Sequence, residues 1–256
     1  MLDISFAVRR VRLKTRSLHG RCGSRCSTRR AMGEPKAGQG KPDTMERSGP
    51  TATRRRRRDG EARRESVLDA GLDIFSNMGL HGASIDQIAE RAGLSKTNLL
   101  YYFPSKEELY IAVLRRVLDV WLDPLVSLQA DSEPAPALRD YIRRKITLSR
   151  DAPQASRLFC LEIVQGARLL RAELEGPLRI LLEEKAAILR SWAAAGLIAP
   201  HDPHHLIFSI WAMTQHYADF APQIEAITGR TLSDPDFFEA AVANTQALIL
   251  GRLGLT

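Results

Sequence analysis

Residues 84–110 read SIDQIAERAGLSKTNLLYYFPSKEELY, and their spacing predicts two short helices around a tight turn, followed by the start of a third helix. Ser84 precedes an apolar helical pattern and can cap the free N–H groups of the first helix. Gln87, three residues later, completes the pattern of a capping box. Ser95 and Ser105 can cap the second and third helices in the same way.

Two helices joined by a short glycine-containing turn form a helix-turn-helix motif, whose second helix enters the major groove of DNA. The predicted second helix carries no acidic residue, and its exposed side and flanks offer donors for phosphates and base edges. We therefore predict DNA contacts from Ser84, Ser95, Lys96, Thr97, Asn98, Tyr101, Tyr102 and Lys106. The same spacing also fits a small helical bundle with a polar outer face and no DNA function.

The formal net charge of +7 is unevenly distributed along the 256 residues. Residues 1–60 contain 17 Lys and Arg against 5 Asp and Glu, whereas the rest of the chain contains 20 against 25. A basic arm on a mildly acidic domain is typical of nucleic-acid-binding proteins. We predict that residues 1–60 form a basic, disordered tail, and we expect native translation to start at Met32 or Met45.

Five consecutive arginines, Arg54, Arg55, Arg56, Arg57 and Arg58, stand directly ahead of the predicted first helix. Such a run can lie along DNA phosphates or in the minor groove, where counterion release supplies affinity without reading sequence. It can also be a solvated run of charge without a partner. Its position beside the helix-turn-helix favours a DNA-binding arm.

The whole pattern predicts an all-α protein, with a helix-turn-helix domain at residues 61–105 and a ligand-binding and dimerisation domain at residues 106–256. No stretch alternates with period two for long enough to predict a strand. Proline-containing segments at 131–136 and 176–177 are predicted to interrupt the helices. The helices are predicted at 61–78, 106–122, 137–150, 153–175, 177–195, 202–220 and from 234–235 onwards. The last two are apolar enough to pair across a two-fold axis, or to pack within one monomer.

Patterns that carry catalysis or bind metals are missing from the sequence, which has no glycine-rich phosphate loop, no nucleophile elbow and no HExxH. Cys22, Cys26 and Cys160 form no disulfide framework, which fits a reducing cytoplasm. Three histidines between residues 201 and 205 have poor metal-ligand spacing. No apolar run reaches the roughly 18 residues of a membrane span. We expect a cytoplasmic protein that is not an enzyme and needs no cofactor or metal.

The helix-turn-helix stretch resembles the DNA-binding domain of the TetR family of bacterial repressors. Ala92-Gly93-Leu94-Ser95, Leu99, Tyr101, Phe103 and Ser105-Lys106-Glu107-x-Leu109 carry this resemblance. Residues 96–114, 153–160 and 214–222 are similar to one branch of that family, the regulators of pyrimidine utilisation. The resemblance implies a homodimer, and operator binding controlled by a pyrimidine base such as uracil or thymine.

Trp211 and Gln215 lie one turn apart on the predicted helix 202–220, and we predict that they bind an effector. An indole beside a carboxamide suits a flat, uncharged ring with amide-like edges, and Trp121 can form a second wall. These residues can also be ordinary members of a core. The resemblance to pyrimidine regulators favours the effector site.

We therefore predict a homodimeric repressor that places one recognition helix in each half-site of a near-palindromic operator. Effector binding would favour a spacing of the two readers that no longer matches the DNA. Two alternatives stay open. One is a regulator of the same family that responds to another small aromatic or hydrophobic ligand, and the other is a helical interaction protein without DNA function.

Overall fold

The computed structural model describes the backbone of residues 50–255 and the side chains of residues 57–255. The chain divides into two compact units, residues 1–56 and residues 57–256. The predicted tail up to residue 49, its two cysteines, and the side chains of Arg54, Arg55 and Arg56 therefore lie outside the described residues. The prediction of an all-α fold is confirmed, since residues 50–255 contain helices and no strand.

Eleven α-helices and one π-helical turn make up the described part of the chain. They are α1 (Pro50–Gly82), α2 (Ile85–Arg91), α3 (Lys96–Tyr102), α4 (Lys106–Val126), α5 (Pro134–Asp151), α6 (Pro153–Val164), α7 (Arg171–Glu173), the π-helical turn (Leu174–Leu178), α8 (Arg179–Ala194), α9 (Pro203–Asp219), α10 (Ala221–Thr228) and α11 (Pro235–Arg252). None of these helices combines the length and the apolar character that a membrane span requires.

Three serine caps set the starts of α2, α3 and α4, as the sequence predicts. The Oγ of Ser84 accepts a hydrogen bond from the N–H of Gln87, and the Gln87 side chain accepts one from the Ser84 N–H, which completes the capping box. Ser95 and Ser105 accept the corresponding bonds at 3.2 and 3.1 Å. Each cap satisfies a donor that the first helical turn leaves free, so the three helices begin at defined residues.

An apolar core holds α3 against the other helices of the N-terminal domain. Val67, Phe75, Ile88, Leu99 and Leu109 are completely buried in it. Because Leu99 points inwards, the polar side chains around it on α3 point to the outside. The same core continues along α4 and includes residues of α6, so the boundary predicted at residue 105 does not separate two cores.

A polar contact also joins α4 to α6 next to this core. The hydroxyl of Tyr110 donates to the buried carboxylate of Glu162 at 3.2 Å, and the Tyr110 ring packs edge-on against Phe75 at 5.0 Å between centroids. A second core lies among α5, α8, α9 and α11, where Tyr141 and Ile210 are buried. Helix α5 contacts both α4 and α9.

Two predicted helix starts and one predicted helix end are wrong, because the helices include an arginine run and prolines that were expected to lie outside them. The first helix begins at Pro50 rather than at residue 61, so the five arginines belong to helix α1. Helix α4 continues through Pro124 to Val126, where the proline removes one hydrogen bond in the last turn only. Helix α5 starts at Pro134 rather than at residue 137, since a proline in the first turn lacks a donor that would be unpaired anyway.

The predicted helix at residues 153–175 ends at Val164. Gly166 and Ala167 both have positive φ angles, and the carboxylate of Glu162 accepts the N–H of Leu169 at 2.9 Å, which holds the reversal of the chain. The break predicted at residues 176–177 is instead absorbed by the π-helical turn. Helix α10 follows α9 directly and was not predicted. The starts of α9 and α11 at their Asp-Pro pairs are as predicted.

Candidate DNA-binding face and effector site

The outer side of α3 forms an exposed polar face. Lys96, Thr97, Asn98 and Tyr101 are all exposed, and the Tyr101 side chain reaches 83% exposure. The inward Leu99 anchors this helix in the core, so the four outer side chains need no partner within the chain to hold the fold. We call these four residues the recognition face. Its donors and acceptors match those that read phosphates and base edges.

Lys96 and Lys106 both have partners in the structure. The Lys96 Nζ lies 2.9 Å from a carboxylate oxygen of Asp86 on α2, and both side chains are more than half exposed. Exposed pairs of this kind contribute about 0–1 kcal/mol, so a phosphate can replace the carboxylate. The Lys106 Nζ donates to the Ala83 carbonyl at 2.9 Å and ties the start of α4 to the turn ahead of α2.

Three other predicted DNA contacts have structural partners. The hydroxyls of Ser84 and Ser95 take part in the helix caps. Tyr102 is half-buried, and its ring meets the Tyr101 ring edge-on, with 5.3 Å between centroids. Its hydroxyl lies close to Gly60 of α1, where an added Cβ would come within 4.0 Å of it. These residues hold the recognition face in position, and the structure leaves their contact with DNA as a prediction.

The arginine run lies on the first helix. Arg57 and Arg58 are exposed, in a helical backbone that begins at Pro50. Because a helix turns by about 100° per residue, the Arg57 and Arg58 side chains leave the helix in different directions. A contact between this segment and DNA remains a prediction, and the segment that would make it is helical.

Two of the predicted ligand residues lie together on α9. Trp211 is half-buried, and its indole N–H donates to the hydroxyl of Tyr141 on α5 at 2.7 Å. Gln215 is half-buried one turn further along the same helix. Burial raises the pKa of the completely buried Tyr141 hydroxyl. Trp211 is thus fixed in orientation by a buried neutral phenol.

Trp121, the predicted second wall, is 5% exposed on α4. Its indole Nε1 is buried and has no hydrogen-bond partner among the described residues. The Nζ of Lys145 lies over its ring, 3.9 Å from the centroid, and Lys145 is 2% exposed. Burial lowers the pKa of the Lys145 ammonium to about 7, and the charge of Asp219 partly offsets this effect.

Helix α5 brings the two predicted walls to one face. Tyr141, Lys145 and Ser149 occur at intervals of four residues and therefore share a side of the helix. Tyr141 holds Trp211, Lys145 covers Trp121, and Ser149 donates to a backbone carbonyl of α9 at 2.7 Å. We call Trp121, Tyr141, Lys145, Trp211 and Gln215 the effector face.

The sequence analysis missed Tyr141 and Lys145, although their spacing was visible. A tyrosine and a lysine four residues apart also fit the boundary of any amphipathic helix. The distinguishing property is the burial of the lysine, which is 2% exposed and lies against Trp121 of another helix, α4. A further hydrogen bond joins α6 to the end of α9, where the hydroxyl of buried Ser156 donates to the Asp219 carboxylate at 2.5 Å. Burial raises the pKa of this carboxyl and of the Cys160 thiol that bonds to it.

The remaining histidines, carboxylates and one surface depression are also candidate sites for a metal ion or a ligand. Across the described residues, no three histidine, cysteine, aspartate or glutamate side chains lie close enough together to hold a metal ion. His204 contacts the carboxylate of Glu183 at 3.0 Å, and His201 contacts the Ala199 carbonyl at 2.9 Å. An open depression of about 380 Å³ has none of the effector-face residues in its wall. It is lined by Ser127, Ser132, Glu133, Pro136, Ala137 and Asp140.

Two protein-family models match the chain. The model of bacterial regulatory proteins of the tetR family matches residues 67–113, and that of the C-terminal region of YcdC-like protein matches residues 114–256. The chain is 57% identical over 198 residues to the HTH-type transcriptional regulator RutR of Escherichia coli K12, covering 77% of this chain and 93% of RutR. It is 30% identical over 135 residues to the HTH-type transcriptional repressor NicS of Pseudomonas putida, covering 52% of this chain and 62% of NicS.

Solved structures with the same arrangement of helices are also known. A transcriptional regulator of Streptomyces coelicolor, SCO4942, is 25% identical with a TM-score of 0.58, over 75% of this chain and 99% of that one. AibR, solved in complex with isovaleryl coenzyme A and operator DNA, is 21% identical with a TM-score of 0.53, over 73% of this chain and 97% of that one. The second likeness supports the fold alone.

Proposed function

Because the chain belongs to the TetR family of bacterial regulatory proteins, and is thereby a DNA-binding transcriptional regulator, we propose that a pyrimidine base controls its operator binding. The proposal has the protein act as a homodimeric repressor in the cytoplasm, with uracil or thymine as effector and no cofactor or metal ion. The observation that carries it is the effector face, where two tryptophans contact neighbouring residues on one side of α5 and Gln215 follows Trp211 by one turn of α9.

The recognition face supports the DNA-binding half of the proposal. Asn98 and Lys96 suit bidentate or single contacts with bases and phosphates, and Tyr101 is 83% exposed. The caps at Ser84 and Ser95 hold both motif helices in place, and Lys106 joins them to α4. In a dimer, two such faces would contact two half-sites about one helical turn of DNA apart.

Exposed apolar side chains on the last helices support a second copy as partner. Phe208 of α9 is 47% exposed and Leu248 of α11 is 57% exposed. Large apolar groups on two long neighbouring helices favour a four-helix bundle across a two-fold axis. Dimerisation of this kind is typical of the family. The proposal places the dimer contact on these two helices.

The effector face supports a flat ring with polar edges. Trp211 supplies an aromatic surface whose orientation Tyr141 holds, and Gln215 can both donate to and accept from a ring N–H and its neighbouring C=O. Uracil and thymine present such edges. The segments 153–160 and 214–222, which resemble the pyrimidine-utilisation branch of the family, contribute Ser156, Cys160 and Asp219 beside this face.

Helix α4 offers a path from the effector to the DNA. It begins at Lys106, which is bonded to the turn ahead of α2, and it carries Trp121 about four turns later. An effector that binds one position of α4 more tightly than another shifts the population of that position. The shift would change the distance between the two recognition faces in the dimer and thereby weaken operator binding.

The decisive experiment measures operator binding with and without the effector. Fluorescence anisotropy with DNA from the region upstream of the protein's own gene should show specific binding that uracil or thymine reverses. Cytosine, adenine and a panel of hydrophobic compounds serve as controls in the same titration. Specific binding that only a non-pyrimidine compound reverses would leave the family function in place and refute the pyrimidine effector.

A further inference from the structure

We infer that Lys145 selects the effector by a carbonyl oxygen, so that Lys145 and the indole N–H of Trp121 together favour oxo-substituted over amino-substituted pyrimidines. This inference rests on the proposed function and adds the residue that decides which bases are bound. Neither residue type marks such a role in the sequence. Trp121 and Lys145 are buried residues that contact each other, and neither the Trp121 N–H nor the Lys145 Nζ makes a hydrogen bond among the described residues.

The Trp121 indole is the first of these donors. Its side chain is 5% exposed, and the buried Nε1 has no hydrogen-bond partner among the described residues. Buried indole N–H groups usually have a partner, because leaving one unpaired costs the free energy of its lost hydration. A ligand with an acceptor atom at this position would recover that free energy on binding.

The Lys145 amine is the second donor, and Lys185 shows how unusual its surroundings are. Lys185 is 1% exposed, and its Nζ donates to the carbonyls of Val126 and Leu128 at 3.2 and 2.9 Å, with a carboxylate of Glu184 at 2.8 Å. Lys185 is thus a fully satisfied structural residue. Lys145 is buried to the same extent, but the described residues give its Nζ the Trp121 ring face and no hydrogen bond.

The charges around Lys145 leave a place for a neutral acceptor. On α9 the charged group that acts on it is Asp219, which is bonded to Ser156 and Cys160 of α6, and on α4 the neighbour is Trp121. Burial lowers the pKa of the Lys145 ammonium to about 7, because the surrounding residues stabilise the charged form less than water does. A ligand carbonyl that accepts from the ammonium would favour that form, and binding above neutral pH would take up a proton.

These two donors can distinguish bases that Gln215 cannot. A carboxamide can turn over and present either its oxygen or its NH₂ group, so Gln215 accommodates an oxo or an amino substituent. The indole N–H and the protonated Lys145 only donate, so this discrimination belongs to the protonated form of Lys145. Uracil and thymine offer ring carbonyls to them, whereas cytosine carries an amino group in place of one carbonyl. A donor would then face a donor, and sites built around such hydrogen bonds discriminate strongly.

The test compares uracil and cytosine binding by isothermal titration calorimetry in wild-type protein and three variants. Lys145→Met keeps the length of the side chain and removes its donors, and Trp121→Phe keeps an aromatic ring and removes the N–H. Lys185→Met is the matched control, because it removes an equally buried lysine that makes no contact with the effector face. We expect wild type and Lys185→Met to prefer uracil by at least about 100-fold. Lys145→Met and Trp121→Phe should each lose at least about 10-fold of this preference.

A second readout separates a direct contact from a structural role. Titrations at pH 8 in buffers with different ionisation enthalpies should show that wild type takes up a proton with uracil and that Lys145→Met does not. Thermal melting checks that each variant is folded. If Lys145→Met does not fold, the uracil preference of Trp121→Phe tests the inference. Unchanged preference in both variants overturns this inference and leaves a pyrimidine regulator. A wild-type protein that binds neither uracil nor thymine overturns the proposed function, and this inference with it.

Discussion

The recognition face and the effector face use similar side chains in opposite surroundings. On α3, Lys96 is exposed and pairs with Asp86, whereas on α5, Lys145 is buried against an indole. The exposed lysine can exchange its carboxylate for a phosphate at little cost, because water and salt screen both contacts. The buried lysine cannot, because each donor removed from water needs an acceptor. A charged partner can therefore be exchanged readily at the first face, whereas a ligand of the second face would have to supply matching acceptors.

The faces also differ in what holds them together. Serine caps that act over three residues set the start of the recognition helix, and one buried residue, Leu99, anchors it in the core. Contacts between residues on different helices hold the effector face, namely Lys145 over Trp121, 24 positions apart, and the bond from Trp211 to Tyr141, 70 positions apart. Substitutions should therefore act on affinity alone in the first region and on affinity and stability together in the second.

The largest effect is expected for Trp211→Ala. It removes the aromatic surface and the bond to Tyr141, so we expect loss of uracil binding and a decrease of about 3 kcal/mol in the free energy of unfolding. Operator binding by the folded variant should persist and should no longer respond to uracil. Isothermal titration and urea denaturation measure the two effects, and unchanged uracil affinity would refute the effector face.

A pH effect on stability should follow from Lys145. Its folded-state pKa of about 7 lies below the ordinary value of 10.5, so the unfolded chain binds more protons between these pH values. The stability of the wild-type protein should therefore rise from pH 7 to pH 9 and should not fall further below pH 6 on account of this group. Melting temperatures of wild type and Lys145→Met across this range isolate the contribution. Parallel curves for the two proteins would contradict the burial of an unpaired amine.

A smaller effect, confined to DNA affinity, is expected for Asn98→Ala. The Asn98 side chain is exposed, and the Ser95 cap uses only its backbone N–H. We expect operator binding to weaken by about 1–3 kcal/mol while the melting temperature and uracil affinity stay at the wild-type values. Anisotropy titrations with the operator and with a scrambled duplex provide the measurement. Equal loss on both duplexes would show that Asn98 positions the protein without reading bases.

The smallest effect is expected for Lys106→Ala. The Lys106 Nζ donates to the Ala83 carbonyl and retains two further N–H donors for a phosphate. We expect modestly weaker operator binding and a salt dependence that is shallower by about one unit of slope. Lys106→Arg, which keeps the charge, is the control. A slope unchanged in Lys106→Ala would assign the lysine to the fold alone.

Local sequence signals predicted most of the N-terminal domain. The caps at Ser84, Ser95 and Ser105 and the apolar pattern that follows Ser84 operate within one or two helical turns, so they can be predicted directly from the sequence. The Asp-Pro starts of α9 and α11 were predicted for the same reason. The predicted helix end ahead of Pro124 was wrong, because a helix tolerates a proline in its last turn when packing holds that turn.

Distant contacts account for what the sequence analysis missed. The reversal after α6 depends on the Glu162 carboxylate, which bonds Leu169 and is itself held by Tyr110 of α4. A single sequence does not show which carboxylate will be buried against which helix. The same holds for Trp121 and Trp211, which were predicted as two walls and contact Lys145 and Tyr141 of α5, because α5 packs against both α4 and α9.

The sequence alone determined the three capped helices, the exposed polar side of α3 and the resemblance to a family, because hydroxyl caps and helical periodicity act over three to seven residues. The tertiary structure decided the protonation and the partners of the buried groups. Lys145 and Lys185 are the same residue type on amphipathic helices, and both are buried. Lys185 donates to backbone carbonyls, whereas Lys145 lies against an indole ring. Only the packing of separate helices determines which acceptor a buried donor finds.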